Sequence, residues 1–191
     1  MKTLIATVLC AAATLLSACT HGDSGTAPLP RAYPRVALYD TVYSAPDSFP
    51  LYFETNASVP SRIPRQGWLD VAYPRYGATL HLSAVDCAAD RLAAEIERRR
   101  ERMALNLYGM TADTRHMTSD DGSFETVLLV SRDPVATPLQ FLSVDTLGMI
   151  VSGSVYLPGV DAASPTDSIA PVVSAIERDL VRALKTMRRW N

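Results

Sequence analysis

Hydrophobic and polar positions alternate with a period of two in the first part of the chain. From 78 to 83 the residues Ala-Thr-Leu-His-Leu-Ser alternate between apolar and polar, as in a strand with one buried face. With the apolar run 68–73 and a turn over 74–77, this segment predicts an antiparallel hairpin that carries His81 on its polar face. Shorter strands are predicted upstream, at 36–39 and 51–54.

A helical period follows the hairpin. Leu92, Ile96, Met103 and Leu107 recur at helical spacing and predict a helix from about 88 to 107, with Asp86 as its N-cap. Arginine interrupts this apolar stripe at positions 99 and 100. The charged stretch 97–102 is therefore interpreted as a solvated helix face rather than a binding patch, since arginine stems can cover apolar surface while their heads reach water.

Three apolar-rich strands and a second helix are predicted in the remainder. The strands are at 124–132, 139–144 and 149–156, and the tight links between them predict an antiparallel meander. The helix is expected from about 168 to 187, with Asp167 or Ser168 as cap, Pro171 in the first turn and Arg188 and Arg189 at its end. The order of elements predicts an α+β fold, a mostly antiparallel sheet packed with two long helices as a sandwich.

The N-terminus is typical of a signal for export. One lysine is followed by an apolar run from 4 to 16, too short for a helix that crosses a bilayer with about 20 apolar residues. Leu16, Ser17 and Ala18 then precede Cys19 in the pattern that a lipoprotein signal peptidase recognises. We expect acylation of Cys19 to attach the mature chain to a lipid bilayer; an ordinary secretory signal is the alternative.

The residues after Cys19 predict the organisation of the mature chain. Residues 20–29 are small and polar, which indicates a flexible tether. We therefore expect a signal peptide at 1–18, a tether at 19–30 and a single α+β domain at 31–191. Thr20, rather than an acidic residue, follows the cysteine, and by analogy with enterobacterial sorting this favours the outer membrane, although either membrane stays open.

Charge and cysteine content narrow the function classes. The net charge of −2 does not favour a nucleic-acid partner. Because Cys10 leaves with the signal and Cys19 is acylated, Cys87 alone remains, so no disulfide can form within the mature chain.

Catalytic motifs are absent from the sequence: it contains no phosphate loop, GxSxG elbow, HExxH or paired CxxC. We predict no catalytic residue, metal or cofactor. An enzyme would require His81, Asp86 and His116 to converge in one cleft. Aromatic residues are frequent in the first third of the folded part, which is typical of interfaces, although packing in the core and at the rim of a small sheet is the slightly favoured explanation.

Several segments together resemble the gliding motility lipoprotein GldD family. They are Pro30–Leu38, Tyr73–Pro74 with Ala78–Ser83, Gln140–Thr146, Gly153–Leu157 and Asp167–Pro171. The resemblance implies a lipoprotein of Bacteroidetes-type envelopes that is needed for gliding and associated with type IX secretion, often encoded beside the membrane protein GldE, which is a candidate partner. It implies no catalytic residue. Where the family has a His-x-x-Lys-Ala stretch, this chain has Leu107, Met110 and Thr111, so a function of that stretch does not carry over.

The resulting expectation is a membrane-anchored, periplasm-facing accessory lipoprotein without catalytic activity. Its folded domain would bind protein partners in the gliding or secretion machinery. The expected interaction surface consists of Arg31, Tyr33, Tyr73, Pro74, His81 and Tyr156. The alternative is a periplasmic ligand-binding or carrier lipoprotein, which would need an apolar pocket between sheet and helices.

Overall fold

The structure, a computed structural model, describes residue 38 and the ranges 41–57 and 65–190. All of these belong to one compact unit that extends from 36 to 191. The expected signal peptide, its recognition residues 16–18, Cys19 and the tether lie outside the described residues. Arg31, Tyr33 and all of the predicted strand 36–39 except Leu38 also lie outside them.

Three short strands open the described part of the chain: β1 (Tyr43–Ser44), β2 (Leu51–Tyr52) and β3 (Glu54–Thr55). The strand predicted at 51–54 is therefore present but broken at Phe53. β1 pairs with β3, whereas β2 pairs with a strand at the far end of the chain. The remaining elements are β4 (Trp68–Tyr73), β5 (Ala78–Asp86), α1 (Ala89–Leu105), β6 (Asp113–Thr118), β7 (Phe124–Val130), β8 (Leu139–Asp145), β9 (Met149–Tyr156), α2 (Thr166–Thr186) and β10 (Arg188–Arg189).

A six-stranded antiparallel sheet in the order β4-β5-β9-β8-β7-β6 forms the centre of the fold. This confirms the predicted α+β class, the hairpin, the meander and the two long helices. The hydrophobic pattern does not predict β6, because its residues, Asp-Thr-Arg-His-Met-Thr, are nearly all polar. An edge strand can be polar because it pairs on one side only, and β6 pairs only with β7.

The main core lies between one face of the sheet and α2. From α2, Ile176, Leu180 and Leu184 are at most 2% exposed, and they recur at the spacing of a buried helix stripe. They pack in the same cluster as Leu80, Phe141 and Val151 of the sheet and Phe49 and Leu51 of the N-terminal segment. A gap of only about 10 Å³ remains among these side chains, so this face of the sheet is closed.

Two buried acidic residues fasten α2 to its surroundings. Asp179 is 2% exposed and accepts hydrogen bonds from Thr55 Oγ1 at 2.6 Å and Tyr73 Oη at 2.8 Å. Burial, followed by the charge of Asp179, raises the pKa of Tyr73 well above its ordinary value, so the phenol keeps the proton that it donates. Glu177 is likewise buried and forms ion pairs with Arg115 of β6 and Arg132, which follows β7.

The predicted helix caps are wrong. Asp86 is the last residue of β5 rather than the N-cap of α1; it pairs with Met149, and its carboxylate accepts from Arg189 Nη2 at 3.0 Å. Ala88 and Pro165 are the N-caps of the two helices, and neither helix has a side-chain cap. α2 begins at Thr166, so Asp167 lies in its first turn, where it suits the positive end of the helix dipole.

The two ends of α2 and the chain beyond it differ from the prediction in further ways. Because α2 starts two residues early, Pro171 lies in its second turn. Arg188 and Arg189 follow the end of the helix as predicted, and Arg188 Nη1 donates to Thr186 O at 3.4 Å, but the two residues also form β10 against β2, which was not predicted. Within the described ranges, neither helix is long and apolar enough to cross a membrane.

Candidate functional site

The face of the sheet opposite α2 is largely polar, and α1 packs across part of it. Residues paired across antiparallel strands point to the same face, so the register assigns Ser83, Ser152 and Leu142 to this side. The apolar contact with α1 is small: Met103, Leu142 and Ile150 are buried together, and Leu92 and Ile96 pack against them. Met103, near the C-terminal end of α1, is the buried residue of this helix, and the half-buried Leu92 and Ile96 of its N-terminal half extend the contact.

Arg99 is turned towards the sheet rather than towards solvent. Its side chain is 12% exposed, and Nη1 donates to Ser83 Oγ at 3.0 Å and also to Ser152 Oγ. Nε donates to Glu95 Oε1 at 2.8 Å. The prediction that the whole stretch 97–102 is a solvated face is thus wrong at Arg99, because this residue lies one turn after Ile96 on the face that packs on the sheet.

Beside Arg99 a cleft of about 170 Å³ opens between the C-terminal half of α1 and the sheet. From the helix it is lined by Arg99, Arg102 and Asn106, and from the sheet by His81, Gln140 and Ser154 among others. Trp68 also lines the cleft, and the Arg65 guanidinium lies 3.8 Å from the centre of its ring. The lining therefore combines guanidinium, hydroxyl, amide and imidazole groups.

Four polar residues form a row across the floor of this face. Asp70, His81, Ser154 and Gln140 lie opposite one another on the neighbouring strands β4, β5, β9 and β8. The His81 ring nitrogen Nδ1 lies 2.7 Å from Asp70 Oδ1, which directs the other ring nitrogen away from that carboxylate. At the opposite end of the row, Asn106 Nδ2 donates to Gln140 Oε1 at 3.1 Å and so connects the row to α1.

The cleft is electropositive at its helix side. Burial lowers the pKa of Arg99 first of all, and the positive charges of Arg102 and Arg98 lower it further. Glu95 compensates part of this charge, because it forms ion pairs with both Arg98 and Arg99. The Arg102 side chain has no hydrogen bond or ion pair with any residue in the described ranges.

The residues of the predicted interaction surface are found in different environments. Pro74 is exposed in the turn between β4 and β5, and His81 and Tyr156 are exposed on the polar face. Tyr73 is only 2% exposed, so its assignment to an exposed surface is wrong; β4 turns its ring into the core, where it binds Asp179. The described part of the predicted surface therefore reduces to Pro74, His81 and Tyr156.

The three residues considered for acid–base chemistry do not come together. His81 and His116 lie on β5 and β6, which are separated by three strands, or about 19 Å at the usual spacing. Asp86 lies five residues along β5 from His81, which corresponds to about 16 Å. Within the described ranges, no group of three or more histidine, cysteine or acidic side chains could hold a metal ion.

Sequence reasoning missed most of the residues that line the cleft. Ser152 and Ser154 lie in a strand predicted as apolar-rich, and Asp70 and Gln140 were not singled out. The available signal was the alternation itself, since polar residues at every second position of β5 and β9 indicate a face that is not fully buried.

Comparisons with known proteins place the chain in a family. No curated protein matches it. Two solved structures are similar, the Ran-binding protein Mog1p of Saccharomyces cerevisiae and a point variant of Mog1; each is 14% identical, covers 75% of this chain and 80% of its own length, and has a TM-score of 0.37. The family model described as gliding motility lipoprotein GldD matches residues 23–190. Because this match covers most of the chain, the protein belongs to the gliding motility lipoprotein GldD family.

Proposed function

We propose that this envelope-associated lipoprotein is a non-catalytic accessory component of gliding motility and type IX protein secretion. Acylated Cys19 anchors it in a membrane, and its folded domain faces the periplasm and binds a protein of the machinery, for which GldE is a candidate. Membership of the gliding motility lipoprotein family supports the cellular process. The sequence Leu16-Ser17-Ala18-Cys19 supports the anchor.

The observation that carries the docking part of the proposal is the open region of the polar face. Thr79 pairs with Tyr156 and His81 pairs with Ser154, which places Tyr156 and His81 on the same side of β5 and β9. Tyr156 is 42% exposed and the His81 side chain is 44% exposed, so α1 covers neither. An exposed tyrosine beside polar groups that can form hydrogen bonds is typical of protein interfaces.

The carrier alternative is less well supported. An apolar ligand would need an apolar cavity between sheet and helix, and among the described residues the space next to α2 is about 10 Å³. The larger cleft next to α1 is lined by arginine, serine and amide side chains as well as Met103, Leu82 and Phe141, which suits a small ligand with polar groups better than an acyl chain.

A complementation experiment tests the proposal. A deletion strain is expected to lose colony spreading and type IX cargo export, and the wild-type gene should restore both. The double variant His81→Ala/Tyr156→Ala should restore neither, although it accumulates normally in the membrane fraction. The matched control is Leu147→Ala, which removes another exposed apolar side chain, 76% exposed, from the β8–β9 turn.

Two further outcomes separate the parts of the proposal. A photo-crosslinking residue at position 156 should capture a protein of the motility or secretion machinery in intact cells, whereas one at position 147 should not. Cys19→Ala should abolish membrane association and complementation together. Normal spreading and export in the deletion strain, or full complementation by the double variant, would contradict the docking function.

A further inference from the structure

The cleft beside α1 is lined by two arginines, the half-buried Arg99, which has partners, and the exposed Arg102, which has none in the described ranges. Arg102 lines it, and its guanidinium bonds to no side chain or backbone group in the described ranges. Arg99 next to it uses Nε and Nη1 for Glu95, Ser83 and Ser152. Burial first, and then the positive charges of Arg102 and Arg98, lower the pKa of Arg99.

Packing alone does not explain this composition. A contact between a helix and a sheet normally buries apolar side chains, because burying a guanidinium removes its hydration. Here the contact is mixed, because polar side chains line the cleft beside Met103, Leu82 and Phe141. The helix contributes Arg99, Arg102 and Asn106, and the sheet contributes Ser154 and Gln140.

The groups in the cleft define a ligand chemistry. Guanidinium groups bind carboxylates with two parallel, charge-assisted hydrogen bonds. Ser154 Oγ lines the same cleft and has no hydrogen-bond partner within the part of the chain that the structure describes. A hydroxyl can both donate and accept, so Ser154 suits a ligand hydroxyl.

The size of the cleft limits the ligand to a small molecule. Its volume is about 170 Å³. Pockets for drug-sized ligands are typically about 300–1,000 Å³, so this cleft suits a molecule no larger than about one sugar ring rather than a lipid. The charged lining also disfavours an acyl chain.

We infer that this cleft binds a small hydroxycarboxylate, of which a uronic acid is the representative. Arg99 and Arg102 hold the carboxylate, and Ser154 and Asn106 contact the ligand hydroxyls. His81 lines this cleft and also belongs to the proposed docking surface, so ligand binding is measured on the purified lipoprotein, where no docking partner is present.

Calorimetric titration of the full-length lipoprotein in detergent tests the inference, with sodium glucuronate, glucose and inorganic phosphate as separate probes at constant ionic strength. Glucuronate should bind saturably with a Kd of about 1 mM or tighter. Arg102→Gln should weaken glucuronate binding about tenfold or more, because it removes one bidentate donor. Thermal unfolding of this variant should be unchanged, since Arg102 has no partner to lose within the described ranges.

Arg100→Gln is the matched control. It removes the same charge from an equally exposed position of the same helix, but Arg100 does not line the cleft and pairs with Glu97. Its effect on the Kd for glucuronate should stay within about twofold. Arg102→Lys should recover part of the affinity, because it restores the charge without the planar donor pair.

Four results would overturn the inference. Absence of glucuronate binding by the wild-type protein would remove the site. Equal binding of glucose would show that the arginines do not select the ligand. Equal binding of phosphate would leave an oxyanion site and refute the hydroxycarboxylate. An equal loss of affinity in Arg100→Gln and Arg102→Gln would indicate diffuse electrostatic attraction instead of a site.

Discussion

The two faces of the same sheet differ in how completely they are closed. Against α2 the side chains leave a gap of about 10 Å³, whereas against α1 they leave a cleft of about 170 Å³. The two faces also differ in whether their polar groups have hydrogen-bond partners inside the protein. Asp179 on the α2 side receives donors from Thr55 and Tyr73 inside the protein, but Arg102 and Ser154 on the α1 side have no partner in the described ranges.

Because the faces differ, a single strand stabilises the fold through one face and lines the cleft with the other. In β9, Val151 and Val155 point to α2, and Ser152 and Ser154 point to α1 and the cleft. Gly153 is required on the α2 side, because a Cβ atom at this position would lie 2.5 Å from Cε1 of Phe141. One strand therefore completes a tightly packed core with one face and lines the polar side of the cleft with the other.

Leu180→Ala should produce the largest effect and tests whether the α2 face dominates stability. Leu180 is 1% exposed, so its truncation leaves a cavity and should lower the free energy of unfolding by about 2–5 kcal/mol. Leu92→Ala removes the same side chain from the half-buried stripe of α1 and should cost about 1 kcal/mol. Chemical denaturation measures both; equal losses would refute the difference between the faces.

Tyr73→Phe tests whether the buried carboxylate of Asp179 needs the hydrogen bond that Tyr73 donates. The variant removes the phenol that donates to buried Asp179, and it should lower the free energy of unfolding by about 1–3 kcal/mol. Tyr156→Phe, on the exposed part of the polar face, should change it by no more than about 0.5 kcal/mol. If the two changes were of similar size in thermal or chemical unfolding, the phenol of Tyr73 would not be needed by Asp179.

Asp145→Asn probes the carboxylate at the end of β8. Burial acts to raise the pKa of Asp145, but hydrogen bonds from Arg189 and from the backbone N–H of Met149 outweigh it, so the pKa lies below its ordinary value. The folded state therefore binds this proton less readily than the unfolded state. The stabilisation is present above the unfolded pKa near 3.9 and is lost as pH falls through the lowered folded pKa.

We accordingly expect Asp145→Asn to lower the free energy of unfolding by about 1 kcal/mol at pH 7, with the difference from wild type shrinking below about pH 4. Denaturation curves from pH 7 to pH 3 measure this convergence. The control is Asp113→Asn, at an exposed position on the edge strand β6. The free energy of unfolding of this variant should change with pH in the same way as that of the wild type. A difference that stayed constant over the whole range would rule out the carboxylate charge as its cause.

Tyr108→Gly should produce the smallest effect and has the opposite sign. Tyr108 follows α1 with a φ of 53° and is 80% exposed, so a tyrosine occupies a left-handed position that glycine prefers. Its replacement by glycine should raise the free energy of unfolding by about 0.5–1 kcal/mol. Leu105→Gly, which removes a similarly exposed side chain from the helix itself, should lower it by a similar amount. Destabilisation by Tyr108→Gly would show that the ring stabilises the α1 side.

The strands that could be predicted are those whose buried faces give a regular pattern of apolar residues along the sequence. The hairpin of β4 and β5 and the meander of β7, β8 and β9 have apolar residues on at least one face and turn residues between them. β6 and β10 lack such a pattern. β6 is polar because it lies at an edge, and β10 exists only because β2, far away in sequence, pairs with Arg188 and Arg189.

The sequence by itself determined the fold class, the two helices and the lipoprotein signature, because each depends on neighbours within a few residues. It also determined that His81 and Ser83 share one face of a strand. Only the tertiary structure decided that Ser154 lies opposite His81 and that Arg99 reaches Ser83 and Ser152. Strand order and helix rotation follow from burying residues that are distant in the chain, and the period of a single segment contains no information about which distant segment completes the cleft.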